Sequence, residues 1–332
     1  MLLRNLAVLL AFVATAVPAS AAEQVKIGIG YGLAFLPLYI CEDLKLVEKS
    51  AREAHLDVNA SFPRLMGAAQ VQSALNSGAI DVGPFGTAPL LAAWEKTKGT
   101  PRQILAVSGL TSLPLVLVSD RQDVHSIADL KPSDRIAMPT LTSPQLQILE
   151  LQSEKILGRY DRLRSQVVAL SHADAIDAMG AGGGQATGPV TAYFSSPPFT
   201  QLVLRDPGVH PILNSSDAIG KFSFLILGAT KAYIEAQPRM PEVIDKAVDE
   251  AARIIHDNPQ RAAQIYLTHE PSATLNGATM AAVMDDVRDQ FGSAIFGVQT
   301  MADFMGRHGE LKSPPRSWKE IVAPALLNSP SS

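Results

Sequence analysis

Cysteine is almost absent from this 332-residue sequence, in which Cys41 stands alone. A single cysteine excludes an internal disulfide framework, a cysteine-rich zinc site and an iron–sulfur cluster. The seven histidines are scattered, and neither the H-E-x-x-H metalloprotease motif nor the G-x-S-x-G hydrolase motif occurs. The sequence therefore offers no recognisable catalytic signature and directs attention to binding.

The chain also lacks an excess of charge of one sign. It carries 28 basic and 32 acidic residues, and removal of Arg4 with the leader described below leaves 27 against 32, a net charge of −5. A weakly acidic chain without basic runs gives no reason to expect a nucleic-acid or anionic-membrane partner.

Long apolar runs are confined to the N-terminus. Arg4 precedes an apolar run from Leu6 to Val17, and Ala19-Ser20-Ala21 supplies the small-x-small pattern that signal peptidases recognise. The run is shorter than the ~20 residues that span a bilayer, so we expect a signal peptide, residues 1–21, rather than an anchor. The mature chain should be periplasmic, and about 310 residues suffice for about two domains.

From Val25 onward, apolar strands, turns rich in Gly or Pro and amphipathic helices alternate. Strands separated by helices predict a parallel sheet with helices on both faces, an α/β architecture. The predicted strands cover residues 25–30, 56–62, 80–83, 115–119, 135–138, 166–170, 190–194 and 222–229. The predicted helices cover residues 37–50, 68–76, 87–97 and 143–157, and the chain beyond residue 229 should be mainly helical.

Two segments of the chain resemble each other. Residues 78–82 read GAIDV and lead into a small-residue bend that ends at Pro89, while residues 188–192 read GPVTA and lead into a bend that ends at Pro198. Because the two segments occupy equivalent places in successive α/β runs, they predict two similar lobes.

The first of these bends, GPFGTAP, contains Gly83, Pro84, Gly86 and Pro89 but no acid, histidine or cysteine. In open parallel sheets, ligands bind beyond the carboxyl ends of the strands. Glycine lets backbone N–H groups approach a ligand there, and the start of the next helix favours an anion. The bend is thus expected to form a binding wall without a catalytic group.

Four longer stretches carry a resemblance to a known family. In order they are VKIGIGYGLAFLPLYICEDLKLVEK, GAAQVQSALNSGAIDVGPFGTAP, LPLVLVSDRQDVHSIADLKPSDRIAMPTLTSPQ, and AYFSSPPF with FSFLILGATKAYIEAQP. Together they resemble the solute-binding proteins of ABC importers in the nitrate, sulfonate and taurine group, within the thiamine-pyrimidine-synthase-like superfamily. The resemblance is clearest from Val25 to Pro238.

This resemblance implies a type II periplasmic binding protein fold, in which two α/β lobes joined by two hinge strands close on a ligand. Lobe 1 would comprise residues 24–110 and 225–332, and lobe 2 residues 111–224. By position in the family's motifs, the implied ligand-binding residues are Tyr31, Gly32, Phe35, Met66, Gly67, Gly86, Thr87, Ala88, Thr140, Thr142, Ser143, Phe194, Ser195 and Ser196. The chain departs from the family at Thr191, where relatives often carry an acidic residue, and at Phe194, where they often carry a polar or Trp-containing bend.

Several of these polar residues also fit a purely structural role. Ser143 precedes an apolar helix and is expected to be its N-cap. Arg64 is expected to be a solvated surface arginine, with an anion contact as the alternative. His172 and Asp174 resemble a catalytic pair, but Ser171 followed by Asp174 is typical of a helix N-terminus.

The expected function is that of a periplasmic receptor, not an enzyme, which captures a small anionic solute and delivers it to an ABC permease in the inner membrane. We expect a monomer without cofactor, metal or nucleic acid. The alternatives are a binder of a pyrimidine or aromatic precursor, and an enzyme resembling thiamine-pyrimidine synthases.

Overall fold

The strands build two separate sheet systems. The computed structural model describes residues 22–180, 190–272 and 275–327, so the predicted signal sequence and the glycine-rich run 181–188 lie outside the described residues. The strands are β1 (Glu23–Lys26), β2 (Val58–Ser61), β3 (Val82–Phe85), β4 (Ile104–Thr111), β5 (Val116–Ser119), β6 (Arg135–Met138), β7 (Val167–Ala169), β8 (Val190–Ser195), β9 (His210–Asn214) and β10 (Leu225–Thr230).

The first sheet system has the order β2-β1-β3-β10-β4. β1 pairs with β2 in parallel, and the bridge between Ile27 and Val82 connects β1 to β3. β10 lies between β3 and β4 and is antiparallel to both. We call the part of the protein built on this system the first lobe.

The second sheet has the order β7-β6-β8-β5-β9. β6 is parallel to both β7 and β8, whereas β5 is antiparallel to β8 and β9. We call the part built on this sheet the second lobe. Each lobe therefore places its second, first and third parallel strands side by side, followed by the antiparallel strand that enters from the other lobe. The two similar α/β lobes predicted from the repeated segments are confirmed, with β3 and β8 in equivalent positions.

Thirteen α-helices cover these sheets in the described residues. They are α1 (Leu36–Leu44), α2 (Leu46–Glu53), α3 (Gly67–Ser77), α4 (Thr87–Thr97), α5 (Pro144–Leu157), α6 (His172–Met179), α7 (Phe199–Val203), α8 (Ser215–Ile219), α9 (Lys231–Ala236), α10 (Met240–Asp257), α11 (Pro259–His269), α12 (Gly277–Val287) and α13 (Val298–Arg307). The predicted helix 37–50 is in fact two helices, because Lys45 adopts a left-handed conformation with φ 53°.

The prediction of a bend from Gly83 to Pro89 is wrong for Gly83 and Pro84. Both residues lie inside β3, where they pair with Gly228 and Leu227 of β10. A Cβ at Gly83 would lie 2.5 Å from Val71 Cγ1, so the glycine allows α3 to pack closely on the strand. Only Gly86 remains between β3 and α4, and Pro89 belongs to the first turn of α4.

The long helix α10 anchors the core of the first lobe. Its buried residues include Val243, Ala247 and Ala251, which recur at a spacing of four and confirm the apolar stripe predicted for this segment. They pack in one cluster with α1, β4 and α12. Within the described residues, no helix combines the length and the apolar character needed to cross a membrane.

Two neighbouring segments connect the lobes. The chain leaves β4 through residues 112–115 and returns through residues 220–224. The Phe224 backbone N–H donates to Thr111 O at 2.8 Å, so the outgoing segment begins beside the point where the returning segment ends. The outgoing segment is also attached to α8 of the second lobe, because the Leu115 N–H donates to Ser215 Oγ at 2.9 Å.

Candidate functional site

The candidate site lies where the carboxyl ends of the parallel strands in the two lobes meet. Helices α3 and α4 begin at this edge of the first lobe, and α5 and α6 begin at the corresponding edge of the second. Gly86 at the start of α4 approaches Pro144 at the start of α5, since a Cβ on Gly86 would lie 3.3 Å from Pro144 Cγ. We call the space between these two edges the cleft.

Three large apolar side chains are exposed on the loops around the cleft. Tyr31 is 55% exposed and Met66 is 66% exposed in the first lobe, and Leu141 is 55% exposed in the second. Tyr31 and Met66 are each followed by a glycine in a left-handed conformation, Gly32 with φ 99° and Gly67 with φ 75°. Glycine is needed at both turns because other residues rarely adopt such angles.

The backbone of Gly32, predicted as a ligand contact, is held by a distant carboxylate. Its N–H donates to Glu270 Oε1 at 3.0 Å, and the Tyr39 hydroxyl donates to the same oxygen at 2.6 Å. Burial, with the Glu270 carboxylate beside it, raises the pKa of the Tyr39 phenol well above its usual range. Gly32 therefore contributes the shape of the loop, while its N–H is already engaged within the protein.

Arg64 is not the solvated surface residue that its sequence context suggests. Its guanidinium donates to Gly30 O at 3.1 Å and to His269 Nδ1 at 2.8 Å, and it lies 4.6 Å from the ring centroid of Tyr39. Tyr31 is its second aromatic neighbour, at 5.5 Å. Across the described residues, no carboxylate oxygen lies within 4.0 Å of this guanidinium.

His269 links Arg64 to an acidic residue of α1. Because arginine remains protonated, His269 Nδ1 accepts from Arg64, and His269 Nε2 then donates to Asp43 Oδ1 at 2.9 Å. The His269 ring also stacks on Tyr39, with centroids 4.5 Å apart. These contacts hold the Arg64 guanidinium in a fixed position beside Tyr31.

In the stretch from Gly86 to Ala88, the side chains are buried within the protein. Thr87 is fully buried, and its hydroxyl donates to Ser223 O at 2.5 Å. Ala88 is also buried. Phe35, from the neighbouring loop, packs its ring against Gly30, where a Cβ would lie 2.4 Å from Phe35 Cζ. Ligand contact through the side chains of Thr87, Ala88 and Phe35 stays a prediction that this inward packing does not favour.

The start of α5 forms a wall of hydroxyl groups in the second lobe. Ser143 occupies the predicted N-cap position, but its Oγ donates to Thr140 O at 2.8 Å instead of accepting from the helix. The Thr140 and Thr142 hydroxyls lie 3.3 Å apart. The first-turn N–H groups of α5 consequently receive no side-chain cap.

At the end of β8, only Ser196 of the three predicted residues lies beyond the strand. Phe194 is fully buried in the core. Ser195 is also fully buried, and its hydroxyl donates to Val116 O at 2.8 Å and lies 2.9 Å from Thr200 Oγ1. The Ser196 hydroxyl instead lies 3.2 Å from His172 Nε2.

His172, which sequence reasoning assigned to a helix terminus, also makes side-chain contacts at the end of β8. The predicted cap is confirmed, because Ser171 Oγ accepts from the Asp174 N–H at 3.1 Å. The His172 ring, however, contacts the Tyr193 hydroxyl, Ser196 and the face of Phe199. Burial lowers the pKa of His172 to about 4, so the imidazole is neutral at pH 7.

Comparison with known proteins identifies the fold of this chain. No family model and no curated protein matches the sequence. The structure is similar to the periplasmic aliphatic sulphonate binding protein SsuA from Escherichia coli, with TM-score 0.68 and 18% identity over 91% of this chain and 92% of that chain. It has the periplasmic binding protein fold.

Two further solved structures with this periplasmic binding protein fold are similar to the chain. The alkanesulfonate-binding protein SsuA from Xanthomonas axonopodis pv. citri, bound to MOPS, has TM-score 0.66 and 21% identity over 92% of this chain and 99% of that chain. The periplasmic nitrate-binding protein NrtA from Synechocystis PCC 6803 has TM-score 0.56 and 13% identity over 78% of this chain and 69% of that chain.

Within this periplasmic binding protein fold, the cleft lacks an evident metal centre in the described ranges, where no group of three or more His, Cys, Asp or Glu side chains could hold an ion. Cys41 is buried, and burial raises the pKa of its thiol. Sequence reasoning missed Glu270, His269 and Asp43. Glu270 lies 238 residues from its partner Gly32, and His269 lies 205 residues from Arg64 and 226 residues from Asp43, so these contacts leave no local signal.

Proposed function

We propose that this protein is the periplasmic solute-binding component of an ABC importer, which captures a small anionic solute between its lobes and delivers it to an inner-membrane permease. The single observation that carries the proposal is the meeting of two equivalent carboxyl edges at Gly86 and Pro144. Two lobes that face each other at their strand ends form a cleft in which a solute contacts both. The similar structures named above, which are binding proteins, support this function over catalysis.

The polar groups of the cleft favour an anion. Arg64 supplies a fixed positive charge without a directly paired carboxylate in the described part of the chain. On the opposite wall, the 14-residue helix α5 points an uncapped N-terminus at the cleft beside the Thr140 and Thr142 hydroxyls. Backbone N–H groups and the helix dipole stabilise an anion at such a position.

The exposed apolar side chains favour a solute that also carries an apolar portion. Tyr31, Met66 and Leu141 would lose exposed surface if the solute or the closing lobe covered them. Organic sulfonates combine an anionic head with such a portion and fit both walls. The same aromatic rim supports, as a second candidate, a binder of a pyrimidine or aromatic precursor, because Tyr31 offers an open ring face for stacking.

The mechanism that we infer is differential binding to an open and a closed form. Residues 24–110 with 225–332 would move as one body and residues 111–224 as the other, about the two connecting segments. Solute contacts to both walls stabilise the closed form, which the permease would recognise. We expect the mature protein to act without a nucleic-acid partner. We also expect a monomer, and the molar mass from light scattering after gel filtration tests this.

Thermal unfolding tests the proposed function. The mature protein is unfolded and refolded to remove co-purified solute, then melted with nitrate, taurine, alkyl and aryl sulfonates, aromatic carboxylates and aminopyrimidines. A ligand at 100 times its Kd adds ~2.7 kcal/mol, which raises the midpoint by about 2 to 10 °C at this size. Stabilisation by one anionic class supports the proposal, stabilisation by aminopyrimidines alone supports the second candidate, and no response to the whole panel contradicts both.

Small-angle scattering tests the closure step separately. The radius of gyration is measured with and without a saturating concentration of the stabilising compound. We expect compaction on binding, and an unchanged radius at saturation would count against closure while leaving the binding function intact.

A further inference from the structure

The second lobe contains a short hydrogen-bonded series at the end of β8. Tyr193 contacts His172 Nδ1 through its hydroxyl, and His172 Nε2 lies 3.2 Å from Ser196 Oγ. The His172 ring stacks on Phe199 with centroids 4.5 Å apart and an interplanar angle of 15°, which restrains the plane of the imidazole. The series therefore runs from a buried phenol to the wall of the cleft.

The burial of Tyr193 decides which nitrogen of His172 carries the proton. Tyr193 is fully buried, and His172 is the only hydrogen-bond partner of its hydroxyl in the described ranges. Were Nδ1 the protonated nitrogen, the phenol O–H would have no acceptor, and a buried donor without a partner is costly. The phenol consequently donates to Nδ1, and Nε2 carries the N–H.

The burial of the imidazole itself agrees with this assignment. A protonated imidazole would have two N–H donors and could not accept from the phenol. Burial lowers the pKa of His172 to about 4, which keeps the ring neutral over the whole range above about pH 5.

The protonated nitrogen of His172 also determines the role of the Ser196 hydroxyl. With Nε2 protonated, the Ser196 oxygen accepts from His172, and the Ser196 O–H is left to donate elsewhere. Its oxygen makes no other hydrogen bond within the residues described, and the residue follows the carboxyl end of β8 at the cleft. The series therefore leaves one unused O–H donor, on a residue that directly follows the strand end and keeps 8% of its surface exposed.

We propose that Tyr193 and His172 are positioning residues that make the Ser196 hydroxyl a fixed hydrogen-bond donor to the solute. The second lobe then selects solutes that present an acceptor oxygen at this point, such as a sulfonate or carboxylate, and disfavours those that present an N–H group. The selection of the solute rests on the proposed function, whereas the proton arrangement does not.

The proton arrangement is tested by NMR on the mature protein labelled with ¹⁵N at histidine. Long-range ¹H–¹⁵N spectra at pH 7 distinguish the two neutral tautomers and the charged ring, and loss of signals in His172→Gln assigns the residue. We expect the neutral form with Nε2–H. The Nδ1–H tautomer or a charged ring in the wild type would overturn the proposal, whether or not a solute is known.

The donor role is tested by binding, with pentanesulfonate as the probe. Ser196→Ala should weaken binding about 10- to 100-fold, the range for a hydrogen bond to a charged group, and Ser196→Thr should restore it by keeping the hydroxyl. Tyr193→Phe should weaken binding and change the His172 tautomer together. Equal affinity of the wild type and Ser196→Ala overturns the proposal. If the wild type binds no compound of the panel, the proposed function is contradicted. The NMR result for the His172 tautomer then still decides whether the inferred proton arrangement is correct.

Discussion

Gly86 and Pro144 are in contact across the base of the cleft, although they begin helices in different lobes. A Cβ on Gly86 would lie 3.3 Å from Pro144 Cγ and 3.5 Å from Pro89 Cδ. Gly86 has φ −67° and ψ 158°, which any residue adopts without strain. The small size of Gly86, rather than its backbone freedom, favours this close approach, because even a Cβ would require Pro144 to shift by a few tenths of an ångström.

Gly86→Leu should therefore separate the lobes without unfolding either one. The leucine side chain occupies the point of contact, so the closed form loses solute contacts and binding weakens at least tenfold. Affinity for the solute from the thermal panel and the radius of gyration at saturation measure the effect. Gly277→Leu is the matched control, since a Cβ at Gly277 meets no atom within 4 Å. Normal affinity in Gly86→Leu would remove this contact from the closing mechanism.

The alternation of strands and helices was predictable because it depends on local patterns. Helix 87–97 and strand 135–138 agree with the structure at both ends, since each combines an apolar pattern with clear flanking residues. β4 was missed because Ser108 and Gly109 interrupt its apolar pattern. Gly109 is required there, since a Cβ would lie 2.4 Å from Ala294 O. That contact joins residues far apart in sequence and leaves no local trace.

The resemblance to the family implied Tyr31, Met66, Thr140 and Ser196 as contacts, and each of them follows the carboxyl end of a parallel strand. Their contact with a solute stays a prediction. The side chains that hold Gly32 and Arg64 in place come from distant parts of the sequence. Glu270 reaches Gly32 across 238 residues, so only the folded structure brings them together.

Thr87→Val should destabilise the protein through the connection between the lobes. The Thr87 hydroxyl donates to Ser223 O at 2.5 Å in a fully buried position on the returning segment. Valine keeps the shape but leaves this carbonyl without that donor, at a cost of about 1 to 3 kcal/mol in the free energy of unfolding. Urea unfolding measures the change. Thr100→Val, at an exposed hydroxyl, should change stability by less than about 0.5 kcal/mol, and equal effects of the two variants would refute the argument.

Glu150→Gln should stabilise the protein at high pH and leave it unchanged at low pH. Burial raises the pKa of Glu150 to about 7, against the lowering effect of Arg164 at 3.3 Å. The folded state therefore keeps a proton that the unfolded state loses above about pH 4.3, so wild-type stability falls as pH rises from there to about 7. Urea unfolding should show glutamine stabilising by about 1 to 3 kcal/mol at pH 8 and by nothing measurable at pH 4. A pH-independent difference would mean that Glu150 is not the titrating group.

Glu154→Gln, one turn further along α5, should show the opposite pH dependence. Glu154 accepts from Arg307 Nη2 at 2.9 Å and from His308 Nε2 at 2.8 Å, which joins α5 of the second lobe to α13 of the first. The hydrogen bond from Arg307, followed by that from His308, holds the pKa of Glu154 below its usual value despite the opposing effect of burial.

The stabilisation from a lowered carboxyl pKa is present above the unfolded value of about 4.3 and is lost as pH falls through the folded value. Because Glu154 is about one-third exposed, solvent screens the pair, and we expect Glu154→Gln to destabilise by about 0.5 to 1 kcal/mol at pH 7. At a pH below both the folded and the unfolded pKa of this carboxyl, the two proteins should unfold at the same urea concentration. A difference that persists in acid would assign the effect to packing between α5 and α13 instead of charge.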